Sequence, residues 1–205
     1  MEDMSLIQIY SDALHNCSLQ ADPAQEAILL ELENLRLELH QPRKRGWFRK
    51  PATTPKGIYL WGGVGRGKSM LMDMFARSMG TSVCRVHFHA FMQDVHSGIA
   101  RARSQGIADA IQPVAREMAG GISCLAFDEM QITDITDAML VGRLFEALFN
   151  AGITIVATSN RHPNDLYKNG LNRQLFLPFI ALLQQKMVVH ELASPTDYRL
   201  SERPT

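Results

Sequence analysis

Eight consecutive residues, Gly62-Gly63-Val64-Gly65-Arg66-Gly67-Lys68-Ser69, restrict the possible folds of this chain more than any other stretch. They follow the apolar run Gly57-Ile58-Tyr59-Leu60-Trp61 and lead into Met70-Leu71-Met72-Asp73-Met74-Phe75. The order is strand, glycine loop, helix, with the G-x-x-x-x-G-K-[ST] spacing of a phosphate-binding loop. Glycines let the backbone curl until successive N–H groups point inward as an anion nest. A helix starting near Lys68 adds its unpaired N–H groups and the positive end of its dipole. In such a loop the lysine reaches the β- and γ-phosphates and the Ser69 hydroxyl ligates Mg²⁺. A plain surface turn would need neither the strand before nor the helix after. The expected ligand is a nucleoside triphosphate with Mg²⁺.

A second stretch, Ile122-Ser123-Cys124-Leu125-Ala126-Phe127-Asp128-Glu129, is a short apolar run that ends in two carboxylates. It reads as a buried strand. Downstream of a phosphate loop this is the Walker B position, where Asp128 holds Mg²⁺ and Glu129 polarises the attacking water. Adjacent Asp and Glu favour hydrolysis over phosphoryl transfer to a small molecule. A further buried strand is predicted over 153–157, followed by Thr158-Ser159-Asn160. A polar residue there resembles the γ-phosphate sensor of the AAA+ class, and an Asn can bond both the water and Glu129. Arg173, in the first turn of a helix predicted from about 171, is the candidate arginine finger acting on a neighbouring subunit. Arg161 is its rival, since it follows Asn160 directly.

Around these stretches the coarse pattern is α/β. Asp22-Pro23-Ala24-Gln25 is a helix start, with an Asp cap, Pro in the first turn and Gln at the capping-box position. Ile28, Leu32, Leu35 and Leu39 then recur at helical spacing. Their face is expected to pack on the protein's own core. Beyond the loop helix, which should end near Gly80, a strand is predicted over 83–89 with His87 and His89 on one face. His89 is expected near the nucleotide, and two histidines without a Cys or carboxylate pattern make a weak zinc site. Helices are predicted over 91–102 and 108–118, then from Asp134 to about 149 with Ile135, Met139, Leu144, Phe145 and Leu148 inward. A helix after Pro163 and a last strand over 186–192 complete the pattern. The expected organisation is a helical segment at 1–42, a basic linker at 43–56 and the phosphate-loop core at 57–205.

Lys+Arg and Asp+Glu are both 21, so formal net charge is zero and no global field favours nucleic acid or an anionic membrane. The run Arg43-Lys44-Arg45-Gly46-Trp47-Phe48-Arg49-Lys50 is the local basic patch, and a solvated linker is its expected role. The three cysteines, Cys17, Cys84 and Cys124, are scattered without a C-x-x-C pair and read as small buried hydrophobes of a reducing compartment. The longest apolar stretch, from Phe176 to Leu183, is too short to span a bilayer and contains Pro178. The acidic start, Met-Glu-Asp-Met, is unlike a targeting peptide, so the expected compartment is the cytoplasm. A eukaryotic source with its natural start upstream of Met1 would point to the mitochondrion. No Asn-Lys-x-Asp motif marks a GTPase and no Leu-Ser-Gly-Gly an ABC ATPase.

With these residues in place the chain resembles the ZapE-type cell-division ATPases and their mitochondrial AFG-type relatives, a branch of AAA+. The resemblance runs over about residues 20–200. It rests on Leu60 to Lys68, on Arg85-Val86-His87-Phe88-His89-Ala90-Phe91-Met92, and on Phe127-Asp128-Glu129 with Thr133-Asp134-Ile135. Ala157-Thr158-Ser159-Asn160, Asp165-Leu166-Tyr167-Lys168-Asn169-Gly170-Leu171 and Thr196-Asp197-Tyr198-Arg199 extend it. It implies a P-loop AAA+ fold, a parallel sheet flanked by helices, and a homo-oligomeric, Mg²⁺-dependent ATPase. The implied partner is a division-ring or membrane-associated protein, or a mitochondrial quality-control client; a nucleic-acid partner is not expected. Gly62 to Ser69 would carry ATP, Ser69 and Asp128 Mg²⁺, Glu129 hydrolysis, Asn160 sensing and Arg173 the trans finger. Members of the family continue past the Asp-Tyr-Arg segment, whereas this chain stops at Thr205, so a missing or shortened C-terminal part is expected. Two other functions stay open: a nucleotide-binding regulator without turnover, and a helicase-loader-like AAA+ protein acting on DNA.

Overall fold

The computed structural model describes residues 4–16, 19–41 and 54–193. The basic run at 43–50, most of the expected 43–56 linker, Cys17 and the segment from Ser194 through Arg199 lie outside the described residues. The apolar runs become β1 (Gly57–Trp61), β2 (Val83–His87), β3 (Cys124–Asp128), β4 (Thr154–Ser159) and β5 (Met187–Glu191). They form one parallel sheet in the order β2-β3-β4-β1-β5. Every residue of β3 and β4 is buried, as central parallel strands covered on both faces require. The expected parallel sheet flanked by helices is what the chain forms.

Seven helices cover the sheet among the described residues: α1 (Leu6–His15), α2 (Pro23–His40), α3 (Lys68–Met79), α4 (Phe88–Ser104), α5 (Ile111–Met118), α6 (Ile135–Asn150) and α7 (Leu177–Lys186). Strand alternation divides the apolar side chains between two cores. Ile58, Leu60, Cys124, Ala126 and Val156 face the first core, with Leu29 and Leu32 of α2 and Leu71 and Phe75 of α3. Tyr59, Leu125, Phe127, Ile155 and Ala157 face the second, with the helices α4 to α7. There Phe145 stacks on Phe127 at 5.6 Å and meets Phe179 edge-on at 5.1 Å.

Several boundaries differ from the sequence expectation, each for a local reason. β2 ends at His87 because its one strand neighbour, β3, ends at Asp128 directly opposite. Phe88 therefore opens α4, and His87 and His89 do not share a strand face. β2 is an edge strand, and Cys84 on it is exposed rather than buried. Cys124 is buried as expected, and burial pushes its thiol pKa up. α5 begins at Ile111, three residues late, because Pro113 lacks an N–H and fits only a first turn. β4 runs on through Ser159, paired with Trp61. Pro163–Asp165 makes a 3₁₀ turn instead of a helix. Asn172 adopts a left-handed backbone (φ 56°) and Pro178 can sit only in a first turn. The helix expected from 171 is therefore a 3₁₀ turn at Arg173–Leu175 followed by α7. Met139 of α6 is 37% exposed, not inward, because Ala138, Val141 and Phe145 define the buried stripe.

Candidate active site

The carboxyl ends of β1, β3 and β4 lie side by side, and the loops leaving them line one cavity of about 370 Å³. Such ends are where open parallel sheets bind ligands. The cavity is lined by Val64 to Met70, Glu129 and the Thr158-Ser159-Asn160 run. At two of the loop's glycines a Cβ would collide with a neighbour. At Gly62 a Cβ would stand 2.5 Å from the Leu192 carbonyl oxygen. At Gly67, the residue before α3, φ is 90° and a Cβ would meet Gln25 Nε2 at 2.6 Å. The backbone N–H of Gly62 donates to the Ser159 carbonyl and so ties the loop to β4. Lys68 is 8% exposed; its Nζ donates to the carbonyls of Gly62 at 2.9 Å and Gly63 at 2.7 Å. The ammonium is thus folded onto the carbonyls at the start of the loop.

Asp128 is 3% exposed and fully engaged. Its Oδ1 accepts from Ser69 Oγ at 3.0 Å and Thr158 Oγ1 at 2.8 Å, and its Oδ2 from Arg85 Nη2 at 2.6 Å. Glu129 leaves the strand in a left-handed conformation, φ 54°, and its N–H donates to Thr158 Oγ1 at 3.0 Å. A left-handed non-glycine residue costs on the order of 1 kcal/mol, and the cost recurs at functional sites where the surroundings impose it. Here the turn delivers the Glu129 side chain to the cavity edge. The oxygen donors Ser69 and Asp128, joined by a direct hydrogen bond, have the chemistry that a hard divalent cation beside phosphate oxygens requires. The residues present fit Mg²⁺.

Asn160 lines this cavity and also an adjoining one of about 220 Å³, shared with Glu129 and Arg161. Arg173 is not part of either wall. Its Nη2 donates to the Asn164 carbonyl at 2.5 Å. His89 lines a third cavity with Asp128 and Glu129, and its ring nitrogen contacts Gln93 at 3.1 Å. Among the described residues no group of three or more His, Cys, Asp or Glu side chains gathers as a metal cluster.

Three participants have no role at the site in the sequence expectation. Thr158 bonds both Asp128 and Glu129; its signal is a hydroxyl inside a buried apolar run. Arg85 pairs with Asp128, and its signal is a cation two residues from a strand end. Gln25 is fully buried and does not close a capping box: its Nε2 donates to the Arg66 carbonyl at 3.3 Å. Its Oε1 finds no hydrogen-bond partner among the described residues. The order Asp-Pro-Ala-Gln signals a helix start and says nothing of this contact.

A family model described as AFG1-like ATPase matches residues 4–205. The chain is 41% identical over 217 residues to the cell division protein ZapE of Escherichia coli, covering 98% of this chain and 57% of that protein. It spans about half the length of the curated relatives it matches. Among solved structures, AMPPCP-bound DnaA from Aquifex aeolicus superposes with a TM-score of 0.55 at 16% identity, covering 88% of this chain and 50% of that one. DnaI superposes at 0.56 with 14% identity, covering 83% and 84% respectively. Those likenesses show the P-loop AAA+ fold.

Proposed function

The chain belongs to the AFG1-like ATPase family, and from that premise we propose that it binds and hydrolyses ATP and couples turnover to the regulation of a protein partner. The observation that carries this is one cavity lined by the Lys68 loop, Glu129 and Asn160 at the carboxyl ends of neighbouring strands. Loop N–H groups and the α3 terminus receive the phosphates, and Lys68 exchanges its loop carbonyls for β/γ-phosphate oxygens. Glu129 accepts a proton from the water that attacks the γ-phosphorus, so that the bond to the β-bridging oxygen breaks and ADP and phosphate leave. Asn160 bonds that water and holds it in line. Ser69 and Asp128 would hold Mg²⁺, which supplies charge neutralisation at the phosphate oxygens.

The similarity to a protein named for cell division supports a division-related protein partner for this chain. Homo-oligomerisation belongs to the same proposal, with Arg173 acting on a neighbour's site. No helix among the described residues is long and apolar enough to cross a membrane. The test is steady-state ATP hydrolysis alongside equilibrium ATP binding. Glu129→Gln is expected to keep binding and to lose turnover by about 10²–10⁴-fold. Equal turnover in the variant and the parent would remove Glu129 from the mechanism.

A further inference from the structure

Asp128 is held by more than the two hydroxyls beside it. Arg85 reaches it from β2 and forms a fork, with Nη2 2.6 Å from Asp128 Oδ2 and Nη1 2.7 Å from Asp73 Oδ1 on α3. The two carboxylates differ in setting. The Asp128 side chain is 4% exposed and the Asp73 side chain 44%, with Arg85 between them at 31%. A buried carboxylate needs a counter-charge close by, and Arg85 supplies it. A divalent cation held by Ser69 and Asp128 draws on that carboxylate too, and two cations sharing one anion repel each other.

We propose, resting on the nucleotide reading above, that Arg85 competes with Mg²⁺ for Asp128 and that Asp73 is the seat which draws Arg85 aside. The guanidinium keeps one ion pair as it gives up the other, so the buried acid always has a cation beside it. Asp73 acts on the metal through Arg85 and is a positioning residue. Two variants are then expected to move the metal requirement in opposite directions. Arg85→Gln removes the competitor and tightens divalent binding by about tenfold. Asp73→Asn leaves Arg85 wholly on Asp128 and weakens divalent binding several-fold. In the Arg85→Gln background, Asp73→Asn changes nothing, because the residue it acts through is gone.

The measurement is Mn²⁺ binding by electron paramagnetic resonance, with the full chain and a saturating non-hydrolysable ATP analogue. Melting temperature in EDTA is followed in parallel, where Arg85→Gln is expected to be less stable than the parent. Arg85→Met, which also removes the charge and keeps an unbranched, adaptable side chain, replaces Gln in the cycle if Arg85→Gln does not fold. Tightening by Arg85→Gln, weakening by Asp73→Asn and loss of the second effect in the double variant support the proposal. Weaker divalent binding in Arg85→Gln would make Arg85 a permanent brace for Asp128 and overturn the proposal alone. So would an Asp73→Asn effect that persists in the double variant, since that is a simple field effect of the lost charge. A parent protein that binds neither the analogue nor Mn²⁺ overturns the nucleotide reading and this inference with it.

Discussion

Thr158 shows how much of the site depends on a single hydroxyl. It donates to Asp128 Oδ1 and accepts the N–H of Glu129, so one atom sets both the acid beside Ser69 and the left-handed turn that aims Glu129. Thr158→Val keeps the shape and removes both bonds. It leaves the Glu129 N–H and one Asp128 lone pair unmet, at a cost of about 1–3 kcal/mol. If turnover depends on where Glu129 points, kcat is expected to fall by more than about tenfold while nucleotide affinity changes little. Thr158→Ser, which restores the hydroxyl, is expected to recover most of the rate. Chemical denaturation with steady-state kinetics checks both; a fall in affinity matching the fall in kcat would mean a damaged phosphate loop instead. The Asp128–Glu129 pair and the Lys68 loop are legible in the sequence because each is a contiguous run. Thr158 is not, since its partners come from the neighbouring strand and only the β3–β4 register brings them together.

At the scale of elements, the N-terminal helices share an apolar cluster and one buried ion pair. Glu33 of α2 accepts the N–H of Leu6, which opens α1, at 2.9 Å. Arg36 closes on both Glu33 oxygens at 2.9 and 2.8 Å. The hydrogen bonds from Arg36 hold the Glu33 carboxyl below its usual range. A depressed carboxylate pKa means stability present above the unfolded value, about 4.3, and lost as pH falls through the lower folded value. Glu33→Gln removes the Glu33 charge from a pair whose Arg36 is itself 5% exposed, and is expected to cost about 2–4 kcal/mol at neutral pH. The gap between parent and variant is expected to shrink as pH is lowered toward about 3, because acid removes the same charge from the parent. Denaturation midpoints at the two pH values check this, and a gap that does not change with pH would assign the loss to packing alone. The apolar stripe of α2 was legible from its period. The Glu33–Arg36 pair looks from the sequence like an ordinary surface pair of a helix, and its burial and its bond to the Leu6 N–H are tertiary. The same limit explains Gln25, placed by local spacing in a capping box and by tertiary packing against the phosphate loop.

At the scale of the molecule, the sheet order brings the carboxyl ends of β3, β4 and β1 together under the cavity; Arg161 shares a wall with Glu129 and Asn160, whereas Arg173 lines neither cavity. The two arginines therefore make opposite predictions about assembly. Arg173 is flanked in sequence by Leu171, Leu175 and Leu177, which are 69%, 62% and 47% exposed. If Arg173 completes a neighbour's site, turnover rises with protein concentration and Arg173→Ala loses it by about 10³-fold or more. Mixing then separates trans from cis. A subunit carrying Glu129→Gln has no working site of its own but still offers Arg173. A subunit carrying Arg173→Ala keeps its own site and needs that arginine. The mixture is expected to turn over ATP well above the sum of the two variants alone. Arg161→Ala mixed with Glu129→Gln shows no such rescue if Arg161 acts within its own cavity. Rescue by mixing for Arg161 and none for Arg173 would move the shared contact to the residue next to Asn160. Activity independent of concentration would leave every step of hydrolysis to one chain.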